Sequence, residues 1–117
     1  MYMTDLDTLK EQAVAFRDER DWKQFHNPKD MAISLSLEAS EFLEHFLWKN
    51  EKEIEEFLRT HKQKVEDELA DVVFNVLLLS NDLEIDLGKA LENKLAEIAK
   101  KYPVEKSKGK NTKYTEL

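Results

Sequence analysis

Apolar residues recur along this chain in steps of three and four, the period of helices that bury one face. Leu6, Leu9, Ala13 and Phe16 form a first stripe that fades near Arg20, and Thr4 or Asp5 stands where its N-cap belongs. Asp21-Trp22-Lys23-Gln24-Phe25-His26 reads as a connecting loop, unusually aromatic for its length. Asn27-Pro28 opens a second helix, with Asn as cap and Pro at the first helical position. Its stripe of Met31, Leu35, Ala39, Phe42 and Phe46 carries it to about Trp48. Charged residues then fill positions 49–64, where Ile54, Phe57 and Leu58 are spaced for one short amphipathic helix. A further long helix is predicted from before Glu66 to about Leu83. Its second half, with Val72, Val73, Phe74, Val76, Leu77, Leu78 and Leu79, is apolar nearly all round, the mark of a helix surrounded by protein. The β-branched residues there suit a strand too, but no turn signal separates them from the helical run before. Asp86 caps a last helix with Leu87, Leu91, Leu95 and Ile98 inward, ending near Tyr102-Pro103. Beyond it the apolar period stops, and Lys106, Lys108, Lys110 and Lys113 around Gly109 predict an extended, locally basic tail.

The expectation is one all-α domain over residues 1–117, a four-to-five-helix bundle over 1–102 with a tail over 103–117. A chain of 117 residues has no room for a second core. Two Gly and two Pro suit long helices, and 37% charged residues suit exposed helix faces. The net charge of −7 argues against polymeric nucleic acid or an anionic membrane as partner, since both favour a basic surface. An acidic protein still binds a polyphosphate when cations sit between the two sets of negative charge. With no Cys there is no disulfide framework and no thiolate metal site, which fits a cytoplasmic protein. The N-terminus lacks the form of a signal peptide, and the longest apolar run, around Val76 to Leu79, is far too short to span a bilayer.

The chemistry lies in the acids. On the second helix Glu38, Glu41 and His45 fall within about 60° of one another, and Glu68, Asp71 and Asn75 repeat that arrangement on the third long helix. Like charges at this spacing repel, and desolvation raises the cost. A divalent cation offsets it, and an all-oxygen ligand set favours Mg²⁺ or Mn²⁺ over zinc or copper. Acidic pairs three apart are also common on solvated faces, so spacing alone leaves both readings open. A di-iron bundle requires Glu-x-x-His, and none of His26, His45 and His61 has a Glu three residues before it. Trp22, His26 and Trp48 are placed to stack a nucleobase, although buried packing accounts for the Trp rings equally well. Lys94 and the tail lysines suit phosphate neutralisation or a plain solvated face.

Glu38-Ala39-Ser40-Glu41 followed by Glu68-Leu69-Ala70-Asp71 resembles the E-x-x-E…E-x-x-D signature of MazG-like all-α nucleotide pyrophosphohydrolases. The loop Glu19-Arg20-Asp21-Trp22-Lys23-Gln24-Phe25-His26, then Phe46-Leu47-Trp48-Lys49, Tyr102-Pro103-Val104 and Lys113-Tyr114-Thr115-Glu116-Leu117 bring it nearest the dCTP pyrophosphatase branch. The resemblance implies hydrolysis of a deoxynucleoside triphosphate, dCTP or a related or modified nucleotide, to the monophosphate and pyrophosphate, a house-cleaning activity. It implies Glu38, Glu41, Glu68 and Asp71 as Mg²⁺ ligands and catalytic acids, and Trp22, His26 and Trp48 as the base pocket. Asn75 is placed against the sugar or phosphate, Lys94 against phosphate, and Lys113 and Tyr114 over the substrate. It also implies homo-oligomers, a dimer or a tetramer built as a dimer of dimers, completing the bundle. Asn75 stands where animal members carry Tyr, and Ala13 replaces a bulkier polar residue, so the base preference stays open. Two rival readings are a phosphoribosyl-ATP pyrophosphohydrolase, which the Trp-rich loop disfavours, and a non-catalytic helical oligomerisation module.

Overall fold

The computed structural model describes residues 5–117, and every regular element among them is helical. The order is α1 (Leu6–Asp18), a 3₁₀ turn (Lys23–Phe25), α2 (Pro28–Glu44), α3 (Glu51–Thr60), α4 (Lys62–Asp82), α5 (Leu87–Lys101), α6 (Val104–Ser107) and a final 3₁₀ turn (Tyr114–Glu116). These elements group into two compact units that divide between Glu84 and Ile85.

In the first unit α4 is the central helix, packed against α1 and α2 and more lightly against α3. Local chemistry fixes most helix starts. The Thr8 amide donates to Asp5 Oδ1 at 2.8 Å and the Asp30 amide to Asn27 Oδ1 at 2.8 Å. Thr4, the other expected cap of α1, lies outside the described residues. At α3 the Glu53 amide donates to Asn50 Oδ1 while the Asn50 amide donates to Glu53 Oε1, a reciprocal capping box that satisfies two amides a helix start otherwise leaves unpaired.

Two expectations are corrected here. The second helix stops at Glu44 rather than near Trp48. After it the Phe46 and Lys49 amides reach back only three residues, to Leu43 and Phe46, and Trp48 takes the left-handed φ of 65° that ends a helix. The apolar half of α4 is also less enclosed than its composition predicts. Leu77 and Leu78 are buried, with Ala13 and Met31 beside them in the core, but Val73 is exposed.

One charged contact joins α1 to α4. Arg17 is wholly buried, and its Nη1 donates to Asp82 Oδ2 at 2.6 Å while Nε donates to Asp18 Oδ1 at 3.1 Å. Burial pushes the Asp82 carboxyl up, but the Arg17 hydrogen bond and charge outweigh it and hold the group below its ordinary value. The carbonyl of Arg17 also accepts from the Trp22 amide at 3.2 Å, so the same residue anchors the start of the aromatic loop.

The second unit departs furthest from expectation. Leu91, Leu95 and Ile98, expected inward on α5, are exposed. The tail is not extended either. Pro103, with φ fixed at −62°, leads into the one-turn α6, and Gly109 reverses the chain in the left-handed region at φ 76°. The Tyr114 amide then donates to Tyr102 Oη at 3.2 Å, the two rings meet edge-on at 5.9 Å, and Lys101 Nζ sits 4.8 Å above the Tyr114 ring.

Candidate active site

Helices α2 and α4 pack side by side, and their acidic stripes meet. One carboxylate oxygen from each of Glu38, Glu41 and Glu68 lies within 4.8 Å of the other two. Glu38 Oε2 and Glu68 Oε2 are buried and make no hydrogen bond among the described residues. Burial chiefly, and then the charges of Glu41, Asp71 and Glu68, raise the Glu38 carboxyl above its ordinary value. Such an arrangement is electrostatically unfavourable by itself, since like charges converge and two of the oxygens are buried without hydrogen bonds among the described residues. It fits a hard cation that prefers oxygen ligands.

Asp71 stands one turn beyond Glu68, outside that tight triad, and lines a cavity of about 250 Å³ together with Glu38, His26 and Asn75. The Asn75 amide nitrogen donates to the Asp71 carbonyl at 2.9 Å, so the side-chain oxygen is the end left to accept. His26 Nδ1 is buried without a partner among the described residues. The remaining walls are Met31, Ser34, Phe74 and Leu78. A cavity somewhat below the usual range of about 300–1,000 Å³ suits part of a nucleotide, such as a base or a sugar, rather than all of it. A larger hollow of about 540 Å³, lined by Lys49, Phe57 and His61 among others, has no converging carboxylates. The chemistry favours the smaller one.

The aromatic residues divide. Trp22 meets Phe16 edge-on at 5.8 Å, Phe16 meets Phe74 edge-on at 6.1 Å, and Phe74 forms part of the cavity wall. Arg20 lies 3.7 Å above the Phe16 ring, closing that row on its outer side. Trp48 does not line the cavity and is 92% exposed. Lys94, Lys113 and Tyr114 belong to the second unit, where Lys94 pairs with Glu97 at 3.0 Å and Glu97 with Lys101 at 3.1 Å.

The comparisons decide the family. Residues 33–117 match the model of the MazG-like family. The chain belongs to the MazG-like family. It is 32% identical over 114 residues to dCTP pyrophosphatase 1 of Rattus norvegicus, an alignment that covers 96% of this chain and 67% of the relative. To dCTP pyrophosphatase 1 of Homo sapiens it is 30% identical over 114 residues, with the same coverage. The crystal structure of a pyrophosphatase from Archaeoglobus fulgidus DSM 4304 superposes with a TM-score of 0.79 at 36% identity, covering 88% of this chain and 96% of that chain.

Within this candidate site, sequence reasoning missed Ser34, Phe74 and the role of Phe16. Ser34 had a usable signal, since it sits one turn before Glu38 on the same stripe as the acids. Phe16 and Phe74 gave none, because apolar residues on a helical stripe read as core whether they pack against protein or line a cavity.

Proposed function

We propose that this MazG-like chain is a divalent-cation-dependent nucleoside triphosphate pyrophosphohydrolase that converts a deoxynucleoside triphosphate and water to the monophosphate and pyrophosphate. The observation that carries this is the meeting of three carboxylate oxygens within 4.8 Å beside a cavity that suits a base or a sugar. The relatives named dCTP pyrophosphatase make dCTP, or a closely related or modified deoxynucleotide, the first substrate to try. None of them favours phosphoribosyl-ATP.

Glu38, Glu41, Glu68 and Asp71 would hold Mg²⁺ or Mn²⁺. Bound there, the ion supplies charge neutralisation for the triphosphate and a lowered pKa for its attacking water. The chain's own groups supply the rest. Asp71, outside the tight triad and exposed, would be the acid left to accept the proton of that water. His26 Nδ1 and the Asn75 side-chain oxygen offer hydrogen bonds to the nucleoside, and Phe74, backed by Phe16 and Trp22, supplies an aromatic wall. The further substrate roles that the family resemblance implies fall to Trp48, which lies outside this cavity, and to Lys94, Lys113 and Tyr114.

The two units work as one MazG-like domain in this reading, as a family match spanning both supports. So many exposed large apolar side chains, Leu91, Leu95 and Ile98 among them, support a homo-oligomer, a dimer or a dimer of dimers. No helix of the described residues is long and apolar enough to cross a membrane, and we place the enzyme in the cytoplasm as a nucleotide-pool house-cleaner.

The test is substitution of two ligands. Glu41→Gln and Asp71→Asn each lower kcat at least 100-fold under Mg²⁺ while far-UV circular dichroism stays at the wild-type level. Full turnover in both variants would refute the reading.

A further inference from the structure

One side chain beside the acids is left unused by the activity proposed above. His45 ends α2, one turn after Glu41, and its Nε2 lies 3.5 Å from Glu68 Oε1. Both side chains are about four-fifths buried, at 18% and 19% exposure. His45 Nε2 has no hydrogen-bond partner among the described residues, nor has Glu68 Oε2. Among those residues His45 makes the one ion-pair contact to any of the four acids.

The imidazole cannot easily turn away. Its face stacks on Phe57 at 5.1 Å with 27° between the planes, and its other contact is an edge-on approach to Phe46 at 6.5 Å. Phe57 in turn stacks on His61 at 4.6 Å and 7°. The backbone behind the ring is held too, since Lys49 Nζ donates to the His45 carbonyl at 2.6 Å and sits 4.9 Å above the Phe57 ring. Phe57 of α3 and Phe46 together clamp a ring whose Nε2 faces Glu68 Oε1. A buried nitrogen without a partner lies 3.5 Å from one oxygen of a carboxylate whose other oxygen is buried and unsatisfied, and the two groups are natural partners once either shifts by a few tenths of an ångström.

We infer that His45 is a positioning residue, whose Nε2–H holds the Glu68 carboxylate in the orientation that ligates the cation. This rests on the metal site of the proposed function. Carboxylates that ligate metals are commonly hydrogen-bonded from behind, and loss of such a partner costs about 10–100-fold in metal affinity or activity. Neither the spacing of the acids nor the clamp alone would identify it. Their conjunction does.

The experiment titrates the full chain with Mn²⁺ alone, reading free ion by electron paramagnetic resonance, in wild type, His45→Phe and His45→Gln. Phe keeps a flat ring against Phe57 but has no N–H, whereas Gln carries an amide at the reach of Nε2. The expected result is Mn²⁺ binding weakened about 10-fold in His45→Phe and largely restored in His45→Gln, with unchanged melting temperatures in EDTA. Turnover follows the same order, as a raised Mg²⁺ activation constant. Wild-type affinity in His45→Phe, or no recovery in His45→Gln, overturns the inference while leaving the metal site standing. A wild-type chain that binds no Mn²⁺ overturns the metal site and the inference together. Should the Phe variant not fold, His45→Leu carries the same comparison.

Discussion

Neutralising Glu38 separates the acids' cost to the fold from their use to it. Glu38→Gln keeps the shape of the side chain and removes one charge from a group whose oxygens lie within 4.8 Å of one another. Two unit charges at that distance repel by about 0.9 kcal/mol in water and about 3.5 kcal/mol at an effective dielectric of 20. Glu38 is half-buried and Glu41 exposed, so the lower half of that span applies, about 1–2 kcal/mol in favour of the variant without metal. In a domain of this size that raises the melting temperature by roughly 4–8 °C. The pH dependence follows from the raised Glu38 carboxyl. A group held above its unfolded value of 4.5 contributes stability at acid pH that is lost as pH rises through its folded value. The advantage of Glu38→Gln therefore vanishes at low pH and grows through and above the carboxylate range. Saturating Mg²⁺ reverses the order, since a ligand at 100 times its Kd stabilises the wild type by about 2.7 kcal/mol and the variant has lost a ligand. The assay is thermal melting followed by circular dichroism in EDTA and in Mg²⁺. A variant that melts below wild type in EDTA, or that keeps the full Mg²⁺ shift, refutes the reasoning.

Three other outcomes are expected. Asp82→Asn leaves the wholly buried Arg17 with Asp18 as its ionic partner and destabilises the fold by about 3 kcal/mol at neutral pH, measured by urea unfolding. Because the Asp82 carboxyl sits below 3.8, its contribution is present above that value and lost as pH falls through the folded value, so the gap between variant and wild type closes in acid. Trp48→Gly relieves a left-handed backbone that costs a non-glycine residue about 1–2 kcal/mol, so the variant melts no lower than wild type while its KM for dNTP rises several-fold. Light scattering on the purified chain gives a mass at least twice that of the monomer, and a monomeric mass at micromolar concentration contradicts the proposed oligomer.

Most helices were legible because their signals are local. Asp5, Asn27, Asn50 and Asp86 each accept from the amide three residues on, the contact that defines an N-cap. The end of α2 was not legible, since the apolar period continues through Phe46 while the backbone has already tightened. The tail misled for a related reason. Its fold depends on Tyr102 receiving the Tyr114 amide across twelve residues, which no local pattern encodes. At the site, one-dimensional spacing put Glu38 with Glu41 and Glu68 with Asp71 on two stripes, but it could show neither that the stripes meet nor that Asp71 stands apart from the triad. Nor could it distinguish Trp22, tied to the cavity wall through Phe16 and Phe74, from Trp48, which projects into solvent.

The most direct measurement is ³¹P NMR of the products formed from each of the four dNTPs, with Mg²⁺ and again with excess EDTA. Pyrophosphate and dNMP in equal amounts, with dCTP turned over fastest and nothing formed in EDTA, is the result predicted. Inorganic phosphate with dNDP, turnover that survives EDTA, or no product from any dNTP would contradict it.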